Sequence, residues 1–186
     1  NYSQLRLSAS EVEVRDLLHL YDFSGPQREA LNAARQRYQR NWLVELNERN
    51  AEQVSEELHG EFHPGTIGVI KRRLRYLWQF DLLSSDPDVT ASEAIIAHLD
   101  AGKVVLVDTS NMFETEELLV SMVLARAVFE SHKAKYAQPK EFAKLPPVLV
   151  TLEESQRLLS ETRGTVFAQI AGVGRKLRSG LCAVIQ

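Results

Sequence analysis

Through the first half of the chain, apolar residues recur every three or four positions, the period of helices that bury one face. In "SGPQREALNAARQRYQRNWLVEL" the residues Ala30, Ala34, Tyr38, Trp42 and Leu46 fall four apart and predict one continuous stripe. Ser24 with Gln27 makes a capping box, and Pro26 sits in the first turn, where its missing N–H costs nothing, so a helix begins there. A shorter helix over Val12–Leu20, capped by Ser8 or Ser10, precedes it, and two more follow. In the second of these, "TIGVIKRRLRYLWQFDLL", Ile67, Ile70, Leu74, Leu77 and Trp78 share one side. No strand is predicted before residue 100.

The pattern then changes. Thr90 and Glu93 form a second capping box, a short helix follows, and Gly102 marks its end. Val104 to Val107 reads Val-Val-Leu-Val without alternation, which predicts a strand covered on both faces, as in a parallel sheet. A long helix from about Glu114 to Lys135 buries Leu118, Met122, Ala125 and Phe129. After Pro146-Pro147 come a strand over Val148–Leu152, more helical sequence, and an apolar strand in "GLCAVIQ". Strand, helix, strand, helix, strand is the order of an α/β sheet joined by right-handed crossovers. The polar, proline-bearing "SSDPDV" divides the chain into a helical insertion or bundle over residues 1–86 and a sheet-forming segment over 87–186.

Composition narrows the function classes. With 186 residues, 44% hydrophobic and 25% charged, the chain has enough apolar sequence for a sizeable core. A net charge of -3 gives no global attraction to nucleic acid or an anionic membrane, so any such contact has to be local. The apolar run Leu118–Phe129 is too short to span a bilayer and carries Arg126, so no membrane segment is expected. The single cysteine, Cys182, sits among apolar neighbours and reads as an inert buried thiol in a reducing, cytoplasmic compartment. The opening "NYSQLRLSASEVEV" has neither an initiator Met nor a signal-peptide layout, which suggests a processed or truncated chain.

Candidate chemistry gathers at two places. Glu153 and Glu154 follow the strand Val148–Leu152, and functional groups of open parallel sheets collect beyond the carboxyl ends of their strands. The same acids could simply open the next helix, where the dipole favours negative charge. Gly172 and Gly174 frame Arg175, Lys176 and Arg178, which either meet an anion or cap a helix C-terminus. The cluster "KRRLR", Lys71–Arg75, reads as a solvated face, with a phosphate or subunit contact as the alternative. Tyr76, Trp78 and Phe80 nearby do not share a face and make no stacking platform. His59 and His63, among Glu57 and Glu61, read as a loop rather than a metal site, because Gly60 and Pro64 interrupt them.

The order hydrophobic strand, Glu-Glu, helix, "GRK", strand, Gln resembles the HerA family of DNA translocases, within the RecA-like hexameric ATPases that include the FtsK-type pumps. The resemblance covers Lys103 to Gln186 and extends more loosely over the helical half. It implies a partial RecA-like ATPase core, with parallel sheet and N-terminal helical insertion, from a hexamer that uses ATP and Mg²⁺ to move double-stranded DNA. It further implies a NurA-type nuclease as partner in DNA end resection. By the same resemblance, Glu153 would help hold Mg²⁺, Glu154 would orient the attacking water, Gln186 would sense the γ-phosphate, and Arg175 would be an arginine finger supplied to the adjacent subunit. Ser155-Gln156 stands where the family has Ala-His, and the acids are Glu-Glu rather than Asp-Glu. No G-x-x-x-x-G-K-[ST] occurs in the 186 residues, so the chain alone is expected to be inactive toward ATP. Conjugation and secretion ATPases share this core and stay open as an alternative, as does a non-catalytic interaction module.

Overall fold

The computed structural model describes residues 4–79, 82–88, 90–153, 155 and 165–185. They form two compact units, Asn1–Ala91 and Ser92–Gln186, the division falling a few residues beyond the polar stretch that suggested it.

The first unit is built from α1 (Val14–Leu20), α2 (Gly25–Tyr38), α3 (Trp42–Glu48), α4 (Ala51–Glu57) and α5 (Pro64–Leu74), with short 3-10 turns between them. α2 starts where the capping pattern predicts: the Ser24 N–H donates to Gln27 Oε1 at 3.0 Å, and Pro26 lies in the first turn. The single stripe expected through Leu46 is broken, however. Gln39 takes a positive φ of 55° and opens a 3-10 turn over Gln39–Asn41, so two helices stand where one was predicted. Ala30, Ala34, Trp42 and Leu46 are all buried, while Tyr38 leaves the stripe and its hydroxyl donates to Glu57 at 3.0 Å. Trp42 is fully buried, and its indole N–H donates to the Val12 carbonyl at 3.1 Å.

Three further expectations for this unit need correction. Ser8 and Ser10 do not cap α1. Ser8 caps the 3-10 turn Ala9–Glu11, its N–H donating to Glu11 at 2.8 Å, and α1 begins at Val14, where the Glu13 N–H donates to Asp16 at 2.9 Å. Strands do occur before residue 100: β1 (Leu7–Ser8) pairs in parallel with β2 (Leu83–Ser84). Two residues are too few to set up an alternating pattern, and the pairing spans most of the unit. Finally, the Lys71–Arg75 cluster is only partly solvated. Lys71 Nζ donates to the carbonyls of Leu46, Asn47 and Arg49, groups that the end of α3 leaves without helical partners. Its burial, with Arg75 adding repulsion, holds that ammonium below the usual lysine range. Arg73 donates to the Asp22 carbonyl and lies over the Phe23 ring at 5.2 Å. Arg72 and Arg75 remain exposed.

The second unit contains α6 (Ala91–Asp100), α7 (Glu114–Tyr136), α8 (Pro139–Phe142), β3 (Val148–Leu152), α9 (Val166–Val173) and β4 (Ser179–Ala183). α6 ends as predicted at Gly102, whose φ of 73° suits glycine, with the Gly102 N–H on Leu99 O at 2.9 Å. β3 and β4 pair in parallel, Val148 opposite Ser179 and Leu152 opposite Ala183, with α9 between them in the chain. A strand–helix–strand segment with parallel pairing is what an α/β layer requires. α7 buries Met122, Ala125 and Phe129 as expected, and Leu118 is only half-buried.

The predicted third strand is absent: among the described residues Val104–Val107 makes no ladder. Val104 is 97% exposed and Leu106 90%, whereas Val105 and Val107 are partly covered, so exposure alternates with the period of a strand that has no neighbour. A strand gains its hydrogen bonds from another strand's edge, and the described residues offer none here. β3 is likewise covered on one face only, Val148 and Leu152 being buried and Leu149 64% exposed. Cys182 is partly exposed, not the buried thiol its neighbours suggested. Among the described residues no helix is long and apolar enough to cross a membrane.

Candidate functional site

The acidic turn lies at the carboxyl end of β3. Glu153 follows Leu152 there and is exposed; Glu154 and Gln186 lie outside the described residues. The chain on either side of that end is laced together. Val184 N–H donates to Leu152 O at 2.9 Å, and Ser155 is fully buried with both its N–H and its hydroxyl donating to Val184 O at 3.0 Å. Two donors on one carbonyl fasten the turn to the end of β4. An alanine at this position would keep the backbone bond and lose the hydroxyl one. Nothing in the linear order of residues marked Ser155 as an anchor.

The basic cluster occupies the 3-10 turn Gly174–Leu177 that leads into β4. Gly174 is buried, and a Cβ there would stand 2.3 Å from the Ser179 carbonyl oxygen, so the turn closes only with glycine. Arg178 does not belong with the free cations. It takes the left-handed region at φ 54°, its guanidinium donates to Ala143 O at 3.1 Å and Leu145 O at 2.6 Å, and it lies over the Phe142 ring at 5.3 Å. On the other side His132 of α7, 1% exposed, sets Nδ1 2.8 Å from Leu177 O and 3.4 Å from Ser179 Oγ. A carbonyl can only accept, so Nδ1 carries the hydrogen in that contact. His132 Nε2 is buried with no partner among the described residues. Arg175 and Lys176 remain exposed on this fastened turn, and their side chains have no hydrogen-bond or ion-pair partner among the described residues.

Among the described residues Glu153 and the Arg175 turn are not brought together. β3 and β4 run parallel in register, Glu153 follows the last residue of β3, and the Arg175 turn precedes the first residue of β4. They stand at opposite ends of the sheet, separated along the strands by about 13 Å or more at roughly 3.3 Å per residue.

Glu153 offers the hard, solvent-facing carboxylate oxygens that suit a largely hydrated Mg²⁺. No cradle of backbone N–H groups with a P-loop lysine is present in the sequence to hold a triphosphate. Among the described residues no three His, Cys, Asp or Glu side chains gather as a metal site. Around His59 and His63 the side chains have other work: His63 Nδ1 accepts the Gly65 N–H at 3.0 Å at the start of α5, and Glu57 takes Arg49 at 2.6 Å as well as Tyr38. An open polar groove along α2, lined by residues such as Arg15, Asn32, Arg35 and Gln39, contains none of the predicted site residues. A scan against protein-family models finds no match, and no curated protein matches the sequence.

Proposed function

We propose that these residues form part of the RecA-like core of a HerA-type hexameric ATPase that translocates double-stranded DNA, with the helical unit as its insertion. The observation that carries the reading is the division of the candidate groups between the two ends of one parallel strand pair. An acid at the carboxyl end of β3 and an arginine before β4, its side chain unpaired among the described residues, face away from one another within a single chain's strand pair. They suit a ring in which each site takes Glu153 and Glu154 from one subunit and Arg175 from the next. In such a site Arg175, whose planar fork neutralises charge on the transferring phosphoryl group, would be the arginine finger. Glu154 would orient the attacking water, Gln186 would sense the γ-phosphate, and Glu153 would hold Mg²⁺, whose bound charge offsets that of the phosphates.

The uncovered apolar positions support the same reading. Val104, Leu106 and Leu149 are the residues a larger parallel sheet would cover, and both the P-loop and the missing strands would come from polypeptide outside these 186 residues. The choice of DNA as cargo, and of a NurA-type nuclease as partner, rests on the resemblance in the sequence of Lys103–Gln186.

The test uses the P-loop-bearing protein that contains this sequence. Arg175→Ala and Glu154→Gln should each retain ATP binding. The arginine variant should lose turnover by about a thousandfold or more, the scale of arginine fingers, and Glu154→Gln by at least about a hundredfold. Rings mixed from the two variants, with subunit exchange verified by mass, should regain activity at interfaces that pair an intact Glu154 with an intact Arg175. Turnover by Arg175→Ala within a few-fold of the parent would overturn the composite site.

A further inference from the structure

We propose that His132 is a positioning residue for Arg175, holding the turn that presents it to the neighbouring subunit; this rests on the reading of Arg175 as a phosphate-contacting cation supplied across the interface. The turn is held at three points, one local and two by groups far apart in sequence. Gly174 abuts the Ser179 carbonyl, Arg178 is tied to Ala143 and Leu145, and the third point is His132 Nδ1 on Leu177 O at 2.8 Å. Between these fasteners Arg175 and Lys176 face solvent, their side chains without partners among the described residues.

The chemistry at His132 argues for position over packing. The ring is 1% exposed and leaves Nε2 buried without a partner among the described residues. An apolar side chain would avoid that unsatisfied nitrogen but would remove the short hydrogen bond to Leu177 O. The remaining donor to that oxygen, Ser179 Oγ, is 3.3 Å away and belongs to the same turn, so it cannot tie the turn to α7. His132 is therefore a polar link from the long helix to Leu177 and Ser179, where the turn enters β4. An arginine finger acts only when its fork meets the phosphoryl oxygens, and misplacement by about 1 Å can cost on the order of a hundredfold in rate.

Two substitutions separate the hydrogen bond from the ring. His132→Phe keeps the ring and removes the donor; His132→Asn puts an amide N–H where Nδ1 stands and removes most of the ring. In the 186-residue chain, His132→Phe should speed amide hydrogen exchange over Leu177–Gly180 at least about tenfold, and His132→Asn should leave it within about threefold. In the P-loop-bearing protein, His132→Phe should lower kcat by about ten- to a hundredfold with KM for ATP within about threefold, and His132→Asn should restore most of kcat. If the phenylalanine variant does not fold, His132→Leu serves as the donor-free comparison. A donor-free variant with parental kcat, or an asparagine variant as impaired as the donor-free one, would overturn the proposal. Arg175→Ala identifies which reading has failed. If it is active, the finger assignment is wrong; if it is inactive while the donor-free His132 variant turns over normally, only the positioning role is wrong.

Discussion

In the first unit Trp42, Leu31, Leu43 and Ile67 are sealed from solvent, while in the second Val104, Leu106, Leu149 and Ile185 stand 97%, 90%, 64% and 69% exposed. Both units are rich in apolar sequence, so the difference lies in what each kind of element needs. A helical bundle closes when each helix turns its stripe inward, and five short helices supply enough faces. A parallel sheet needs neighbours at its strand edges and layers on both faces. Among the described residues, the two strands of the second unit and their helices leave Leu149 on an open face. The cations differ in the same way. Lys71 and Arg73 in the first unit, and Arg178 in the second, are consumed in tying carbonyls and aromatic rings, whereas Arg175 and Lys176 are held outward. A basic cluster thus says little until each side chain's partners are known.

The contrast can be broken most directly at Trp42. Trp42→Ala removes a fully buried ring and the donor to Val12 O, and should cost about 3–5 kcal/mol in denaturant unfolding of the chain. A cost under about 1 kcal/mol would mean that the first unit's core is not closed.

A smaller effect is expected at Tyr38, on the rim of the same unit. Burial, with the hydrogen bond to and charge of Glu57, pushes its hydroxyl from 10.0 up to about 12. A raised pKa favours the protonated phenol in the folded state, so the contribution is fully present below pH 10.0 and is lost as the pH climbs to about 12. Tyr38→Phe should therefore cost about 1 kcal/mol at neutral pH and remove this part of the alkaline decline. Equal loss of stability in parent and variant across that window would show that the Glu57 contact contributes nothing.

The smallest effect belongs to the open face. Leu106→Lys should change the chain's own stability by less than about 0.5 kcal/mol, because a 90% exposed side chain has almost no contacts to lose. It should also reduce self-association in light scattering, since exposed apolar strands invite pairing. In a P-loop-bearing protein, where the sheet reading buries Leu106, the same charge should destabilise strongly. Equal tolerance in both would count against an enclosed sheet there.

What the linear order determined was local. The box Ser24–Gln27 with Pro26, the helix beginning at Glu114, the stop at Gly102 and the bounds of β3 at Val148 and Leu152 depend on neighbours within a turn or a strand, so they were legible from residue spacing. The candidate site was legible only as residue types in order, Glu153 and Arg175 among them. That these two lie at opposite ends of one strand pair depends on parallel register, a relation between residues some thirty positions apart. The tertiary structure alone decided the rest. The predicted helix broke at Gln39, Lys71 went to the end of α3, and His132 and Ser155 became anchors, the last three each placed by a carbonyl of a distant segment. Val104–Val107 shows the same limit from the other side: four β-forming residues prescribe a strand, but only another strand's free edge can make it one.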